Sequence, residues 1–305
     1  MDTRNKLYEI LEMLPQNIRE ILKEIDNSDS NNIQEIRFRI NSPIFAVYLG
    51  QGRFINKKFI LEREDINRIF QRLCNFSLFS FEEEIREGYI TVRGGHRVGI
   101  CGRAVTEKGI IKNIKDINSI NIRFSKEIND CSDKIFDYIK KKGLSNILIA
   151  SEPCGGKTTV LRDLVRKISK GGLGEFISLS IIDEKGELCA CINGFPQNDI
   201  GQCCDIFDMY PKKEGIVRAL KFFSPKLIVL DEITTVEESR EIIKGMNGGV
   251  PFIATVHGKN FEELKRRPQI KILLDNGCID GIFFLKGREM PGQINNFFDR
   301  SEIYA

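Results

Sequence analysis

The sequence has no run approaching the roughly 18 apolar residues of a membrane-spanning helix. Its amino end, MDTRNKLYEI, lacks the apolar stretch of a signal peptide. A cytoplasmic chain is therefore expected, with no membrane span and any membrane role peripheral. An excess of one charge is missing too. Lys and Arg number 46 against 43 Asp and Glu, and the surplus is spread, 25 against 21 over residues 1–142 and 21 against 22 beyond. Such a balance does not demand nucleic acid as a partner. Internal repeats and low-complexity tracts are absent. Histidine is reduced to His96 and His257. Cysteine is not scarce, at nine, but the C-x2-C pairing of structural zinc is lacking. Cys189, Cys191, Cys203 and Cys204 follow a C-x-C…CC spacing that favours buried or incidental reduced thiols over a metal site.

What remains is an ordinary globular composition, 41% hydrophobic and 29% charged, in a chain of 305 residues. That length suits about two domains with sizeable cores. Residues 4–25 place Leu7, Ile10, Leu11, Leu14, Ile18, Ile21, Leu22 and Ile25 at helical spacing, interrupted at Pro15, which predicts two short core-packing helices. The stretch 26–32 reads as a polar linker. The period then changes to two through Ile36, Phe38 and Ile40, and again from Ile44 to Leu49, before a turn at Gly50 to Gly52. Helices are expected at 64–74 and near 81–87. Residues 88–105 carry two strand patterns joined by Gly94-Gly95, a hairpin signal, and 117–124 a further strand. A small α+β domain over residues 1–130 follows, its strands bearing Arg93, Arg97, Arg103 and Arg123. A helix at about 131–142 leads onward. From 135 to 305 strand and helix alternate, which predicts a parallel sheet. Strands are expected at 147–150, 176–182, 226–230 and 251–255, helices at 157–169, 211–222, 235–246 and 259–267, and closing strands between Gly281 and Phe298.

The stretch around which this second domain is organised is NILIASEPCGGKTT, residues 146–159. An apolar strand (Ile147, Leu148, Ile149, Ala150) feeds a loop of small residues and then an amphipathic helix. This is the layout of a phosphate-binding loop, in which backbone N–H groups and a helix N-terminus hold an anion. The nucleotide-binding residues are expected to be Ser151, Glu152, Pro153, Cys154, Gly155, Gly156, Lys157, Thr158 and Thr159, with Ser151 standing where Gly usually opens the pattern. Lys157 would place an ammonium on the β and γ phosphates of ATP, and the Thr158 hydroxyl would ligate Mg²⁺.

Hydrolysis needs a metal partner and a group that orients water. The apolar strand Leu227–Leu230 ends in Asp231, expected to hold Mg²⁺ through water, and Glu232, expected to polarise the nucleophile. A second pair, Asp183 and Glu184, ends the strand at 176–182. Glu184 reads either as another water-orienting carboxylate or as an ion-pair partner of Lys185 or Arg162. His257, at the end of the strand 251–256, is placed to sense the γ-phosphate or to bond Glu232, whereas His96 reads as structural. A single such domain has no cation for the charge developing on the γ-phosphate, and ring ATPases import one from a neighbour. Arg97 and Arg123 are the candidates to act so in trans.

The stretches EIRFRI (35–40), GYITVRGGHRVGICGRAV (88–105), INIRF (120–124), EPCGGKTTVLRDLVR (152–166), PQNDIG (196–201), PKKEG (211–215), LIVLDEI (227–233) and IATVHG (253–258) resemble the stage III sporulation protein AA family of endospore-forming bacteria. That family is similar to the hexameric ATPases of type II and type IV secretion and pilus machines. The resemblance implies a RecA-like P-loop ATPase domain behind the smaller α+β domain. It also implies a homohexamer that hydrolyses ATP with Mg²⁺, recruited to membrane proteins of a sporulation channel on the mother-cell side. In it Asp183-Glu184 matches an acidic box, VHG a histidine box, and the hairpin with INIRF the elements presenting arginines across a subunit boundary. Lys185, Lys221 and Thr234 depart from the pattern, where Arg, Arg and Gly are usual, and a Lys cannot form the bidentate fork of an Arg. Two other classes compete. A nucleic-acid motor would use Arg and His separated by three residues, and neither histidine has Arg four positions before it. A nucleotide-binding scaffold would never release phosphate.

Overall fold

The computed structural model describes residues 6–25, 32–77, 81–125 and 128–305, so most of the expected linker at 26–32 lies outside the described residues. The chain divides into two compact units, residues 1–126 and 127–305.

The first unit opens with α1 (Lys6–Glu12) and α2 (Gln16–Leu22), separated at Pro15. All eight apolar residues spaced along 7–25 are buried in its core, with Phe38, Ile66 and Ile122. A six-stranded antiparallel sheet follows, in the order β3-β2-β1-β6-β5-β4. Its strands are β1 (Ile33–Arg39), β2 (Ile44–Tyr48), β3 (Gln51–Ile55), β4 (Tyr89–Val92), β5 (His96–Glu107) and β6 (Ile110–Arg123). α3 (Arg63–Leu73) and α4 (Glu82–Glu87) lie between β3 and β4 in sequence. Two features depart from expectation. The Gly50 turn is the start of a full hairpin, because Gln51–Ile55 pairs back along β2. Its mostly exposed edge position leaves no hydrophobic alternation to read. And β6 begins at Ile110, seven residues before the expected 117.

The second unit is a seven-stranded sheet in the order β13-β12-β7-β11-β10-β8-β9. Its elements are α5 (Asp133–Lys142), β7 (Ile147–Ser151), α6 (Lys157–Ser169), β8 (Leu179–Asp183), β9 (Cys204–Asp208), α7 (Lys212–Arg218), β10 (Leu227–Leu230), α8 (Val236–Asn247), β11 (Phe252–His257), α9 (Phe261–Lys265), α10 (Pro268–Asp275), β12 (Gly281–Leu285), β13 (Ile294–Asp299) and α11 (Arg300–Ile303). All pairs are parallel except β12 with β13. β7, β8, β10 and β12 are buried throughout, as strands covered on both faces must be. Two apolar clusters, one holding Leu148, Ile228 and Ile282 and the other Ile147, Leu227 and Phe283, pack the alternate side chains of the strands.

The helix expected at 259–267 is α9, shorter at both ends, and a further helix that was not expected, α10, follows it, opened by Pro268. The helix expected at 211–222 passes at Ala219–Phe223 into a π-turn that ends at Ser224, in the left-handed region just before Pro225. β9 was not expected. Its CDIFD is short and half polar, and it becomes a strand because it adds to the edge at β8.

Candidate nucleotide site

Three strand ends meet at one edge of the second unit. β11 lies between β7 and β10, with His257 in register opposite Ser151 and Ala254 opposite Leu230. Residues from the loop after β7 and from the acidic end of β10 are therefore separated by the single strand that carries His257. This is the switch-point edge at which open α/β sheets bind ligands.

The loop leaving β7 turns through Cys154 (φ 65°) and Gly156 (φ 87°). The left-handed region suits Gly156 and strains Cys154. A Cβ added at Gly155 would fall 1.8 Å from Ser151 Oγ, and one at Gly156 would fall 2.5 Å from Gly292 N. The loop thus leaves room for backbone only. It is braced by the β12–β13 turn, where Gly292 N donates to the Gly155 carbonyl at 2.9 Å and Arg288 Nε to the Pro153 carbonyl at 3.1 Å. Glu152 is held by Lys259 Nζ at 3.3 Å. α6, thirteen residues long, starts at Lys157, so its unpaired N–H groups and dipole open at the loop. Thr158 and Thr159, in that first turn, are partly exposed.

Lys157 is 8% exposed. Its Nζ donates to the Ser151 carbonyl at 3.2 Å and lies 2.8 Å from His257 Nδ1. An ammonium can only donate, so Nδ1 accepts and the ring proton sits on Nε2. Nε2 faces Glu232 Oε1 at 3.3 Å, and Glu232 Oε2 meets Lys185 Nζ at 3.1 Å. Lys157, His257, Glu232 and Lys185 form one continuous chain of donors and acceptors. Burial pushes the Lys157 ammonium down from 10.5 to about 8, against the pull of Glu232.

The other carboxylates sort differently from expectation. Glu184 pairs with neither Lys185 nor Arg162. Arg162 donates to the Glu187 and Leu188 carbonyls, and Glu184 Oε2 lies 2.6 Å from Lys212 Nζ. Asp183 is fully buried and accepts from the N–H groups of Glu187, Leu188 and Cys189, so it shapes the loop after β8. Lys212, at the start of α7 and 1% exposed, also approaches Asp231 Oδ1 at 3.4 Å. Asp231 Oδ1 accepts from Glu232 N, while its Oδ2 is buried without a hydrogen-bond partner. Burial, only partly countered by Lys212, raises the Asp231 carboxyl to about 6. Sequence reasoning missed Lys212, because a lysine in PKKEG ordinarily reads as solvated. Its signal was the proline before it, which starts α7 at the sheet edge. Lys212→Gln is expected to lower stability by about 2 kcal/mol in urea unfolding at neutral pH. The loss stays moderate because Glu184 can turn to solvent and Asp231 can take a proton.

These residues suit Mg²⁺ with a triphosphate. The side-chain oxygens, Thr158 Oγ1 and the orphaned Asp231 Oδ2, are hard donors, and Mg²⁺ characteristically takes only one or two protein ligands beside phosphates and water. Among the described residues no cluster of three or more His, Cys, Asp or Glu is arranged to hold a metal alone. Cys189 is a buried free thiol, its pKa raised well above its usual range by a hydrogen bond with the Cys191 thiol and by burial.

Arg97 and Arg123 sit on the first unit, opposite one another on β5 and β6. The Arg97 guanidinium stacks 4.7 Å from the Tyr89 ring centroid, and Arg123 Nε lies 3.3 Å from Glu35 Oε1. His96 is fully buried, accepting at Nδ1 from Ser125 N, with Nε2 3.4 Å from Glu9 Oε2.

An antiparallel unit followed by a RecA-like α/β unit with this loop is the fold of the secretion and pilus ATPases. The ATPase DotB of Yersinia pseudotuberculosis matches it with a TM-score of 0.62 at 16% identity, over 89% of this chain and 75% of that one. The pilus retraction motor PilT, solved with bound ADP, matches with a TM-score of 0.57 at 15% identity, over 88% and 76%. Residues 3–304 match the family described as sporulation stage III, protein AA, and the chain belongs to that family. The stage III sporulation protein AA of Bacillus subtilis (strain 168) is 35% identical over 295 residues, 96% of this chain and 95% of that one. Among the described residues no helix is long and apolar enough to cross a membrane.

Proposed function

We propose that this protein is a Mg²⁺-dependent ATP hydrolase of the secretion-ATPase type, working as a homohexamer. It would power or assemble a sporulation membrane channel between mother cell and forespore, docked on that channel's membrane proteins at the cytoplasmic face. The observation that carries the reading is the side-chain chain Lys157–His257–Glu232, which spans the edge beside the N-terminus of α6.

In the proposed reaction the loop N–H groups and Lys157 bind the β and γ phosphates. Mg²⁺, held by Thr158 and Asp231, would supply charge neutralisation between those phosphates. Glu232 orients a water for in-line attack on the γ-phosphorus. The bond to the β,γ-bridging oxygen breaks, giving ADP and inorganic phosphate, and the water proton leaves through Glu232. His257 keeps Lys157 and Glu232 in register and would report on the γ-phosphate through Lys157. Glu184 acts through Lys212, which steadies Asp231. Arg97 and Arg123 are proposed to serve a neighbouring subunit's phosphates. Both are exposed, Arg123 with 66% of its side chain accessible beside its ion pair with Glu35.

The test is phosphate release by the purified protein with Mg²⁺ and ATP, with and without single-stranded nucleic acid. Release that stops with EDTA and ignores nucleic acid is expected. Strong, salt-sensitive stimulation would favour a nucleic-acid motor instead, and no release at all a static scaffold.

A further inference from the structure

β5 and β6 outrun their own sheet. β5 pairs with β4 only through His96–Gly99, and β6 with β1 only through Ser119–Arg123. Beyond a register shift between Cys101 and Arg103, residues 103–107 and 110–115 pair with each other and with no other strand. A Cβ at Gly102 would fall 2.5 Å from the Lys115 carbonyl oxygen, so glycine marks the bulge where the ribbon departs. The ribbon ends in a two-residue turn, Lys108 (φ 50°) and Gly109 (φ 80°), the type I′ geometry of a tight hairpin.

Its composition is not that of a solvated arm. Ile110 and Ile111 follow the turn at the start of β6, 62% and 41% exposed. Around them stand Arg103, Lys108, Lys112 and Lys115, all exposed, against one carboxylate, Glu107, which lies 3.8 Å from Lys112. The register shift between Val105 and Thr106 leaves Lys112 as the extra, unpaired residue, so Lys115 and Arg103 share the face of Ile110, while Ile111 shares its face with Ala104 and Ile114. A two-stranded ribbon is marginal in water by itself, and exposed isoleucines at its tip do not improve it.

We propose that this ribbon is a membrane-contact arm, its Ile110–Ile111 tip entering an anionic lipid surface while the surrounding cations meet the headgroups. The chemistry separates this from a protein partner. A stable protein interface buries about 800 Å² on each side around a packed centre, and the ribbon offers two isoleucines with no groove. A lipid surface needs no complementary shape. It rewards a small apolar wedge beside several cations. The proposal does not depend on the nucleotide site.

The test uses the full chain and vesicles of phosphatidylcholine with or without phosphatidylglycerol. Co-sedimentation with the anionic vesicles that weakens at high salt is expected. The Lys108→Gln/Lys112→Gln/Lys115→Gln variant should lose on the order of 100-fold in partition, about fivefold per cation removed. Ile110→Ser/Ile111→Ser should lose binding even where those lysines remain. The sequence contains no tryptophan, so Ile111→Trp places a single reporter at the tip. Its emission should shift to the blue with anionic vesicles only. Thermal melting of each variant separates a local loss from a folding defect. Three results overturn the assignment: equal binding to neutral vesicles, unchanged binding or emission in the variants, or a change of particle mass in the isoleucine variant, which would make the tip a contact between copies.

Discussion

Lys157→Met is expected to lose ATP turnover by on the order of 10²–10³-fold or more while raising the melting temperature. The first half follows from the proposed role. Removing one preorganised cation or donor aimed at developing charge costs that much in rate. The second half follows from burial. Taking the ammonium out of water lowers its pKa from 10.5 to about 8, so at pH 7 the folded state carries a charge it would rather lose. The corresponding cost is about 3 kcal/mol as an upper bound. For a depressed lysine the native state binds fewer protons than the unfolded chain between the two values, so stability climbs as pH rises through that window. Its contribution is complete above 10.5 and lost as pH falls through 8. The stability advantage of Lys157→Met should therefore be largest near neutrality and shrink in alkaline buffer, which paired melting curves across pH will read. Undiminished phosphate release would remove Lys157 from the site. A variant less stable at every pH would show that its contacts with the Ser151 carbonyl and His257 outweigh the desolvation. That combination of inactive and stabilised also guards against mistaking a misfolded protein for an inactive one.

The reason this residue could be found in the sequence, and Lys212 could not, lies in how each is placed. Lys157 is fixed by local chemistry, since the apolar run 147–150, the glycines 155–156 and the helix after them are contiguous. The same holds for Asp231 and Glu232 at the end of an apolar run, and for His257 at the end of another. The core helices around Pro15 were equally legible, because eight apolar residues at one spacing leave little choice. What could not be read depends on neighbours far off in the chain. Lys212 is buried because α7 starts against carboxylates from β8 and β10. Lys185 meets Glu232 across 47 positions of sequence. The turn carrying Arg288 and Gly292 braces a loop more than 130 residues earlier, and nothing in PGQ announces it. β9 exists because β8 offers it an edge, and α10, opened by Pro268, lies beyond the last helix expected before the closing strands. Parallel sheets make such pairings the rule, which is why element types were easier to anticipate than partners.

Glu232→Gln should separate binding from chemistry. Gln keeps the length and planarity of the side chain, and its carbonyl oxygen can still accept from His257 Nε2, where Oε1 now stands at 3.3 Å. Lys157 then keeps its partner at Nδ1, and the phosphate loop is untouched, so affinity for ATP should stay within a few-fold of wild type. What Gln cannot do is take a proton from water. It also loses the charged partner of Lys185, an exposed contact worth little by itself. Turnover should fall on the order of 10²–10⁴-fold, the range a positioned general base contributes. Equilibrium binding of a fluorescent ATP analogue and single-turnover hydrolysis, measured on the same sample, read the two quantities separately. Tight binding with no cleavage is the expected result. If cleavage persists at the wild-type rate, Glu232 is not the base, and Glu184 becomes the next carboxylate to test at this edge. If binding is lost together with cleavage, the chain from Lys157 through His257 to Glu232 is what holds the phosphate loop in shape. The carboxylate would then act on the nucleotide's grip before it acts on water.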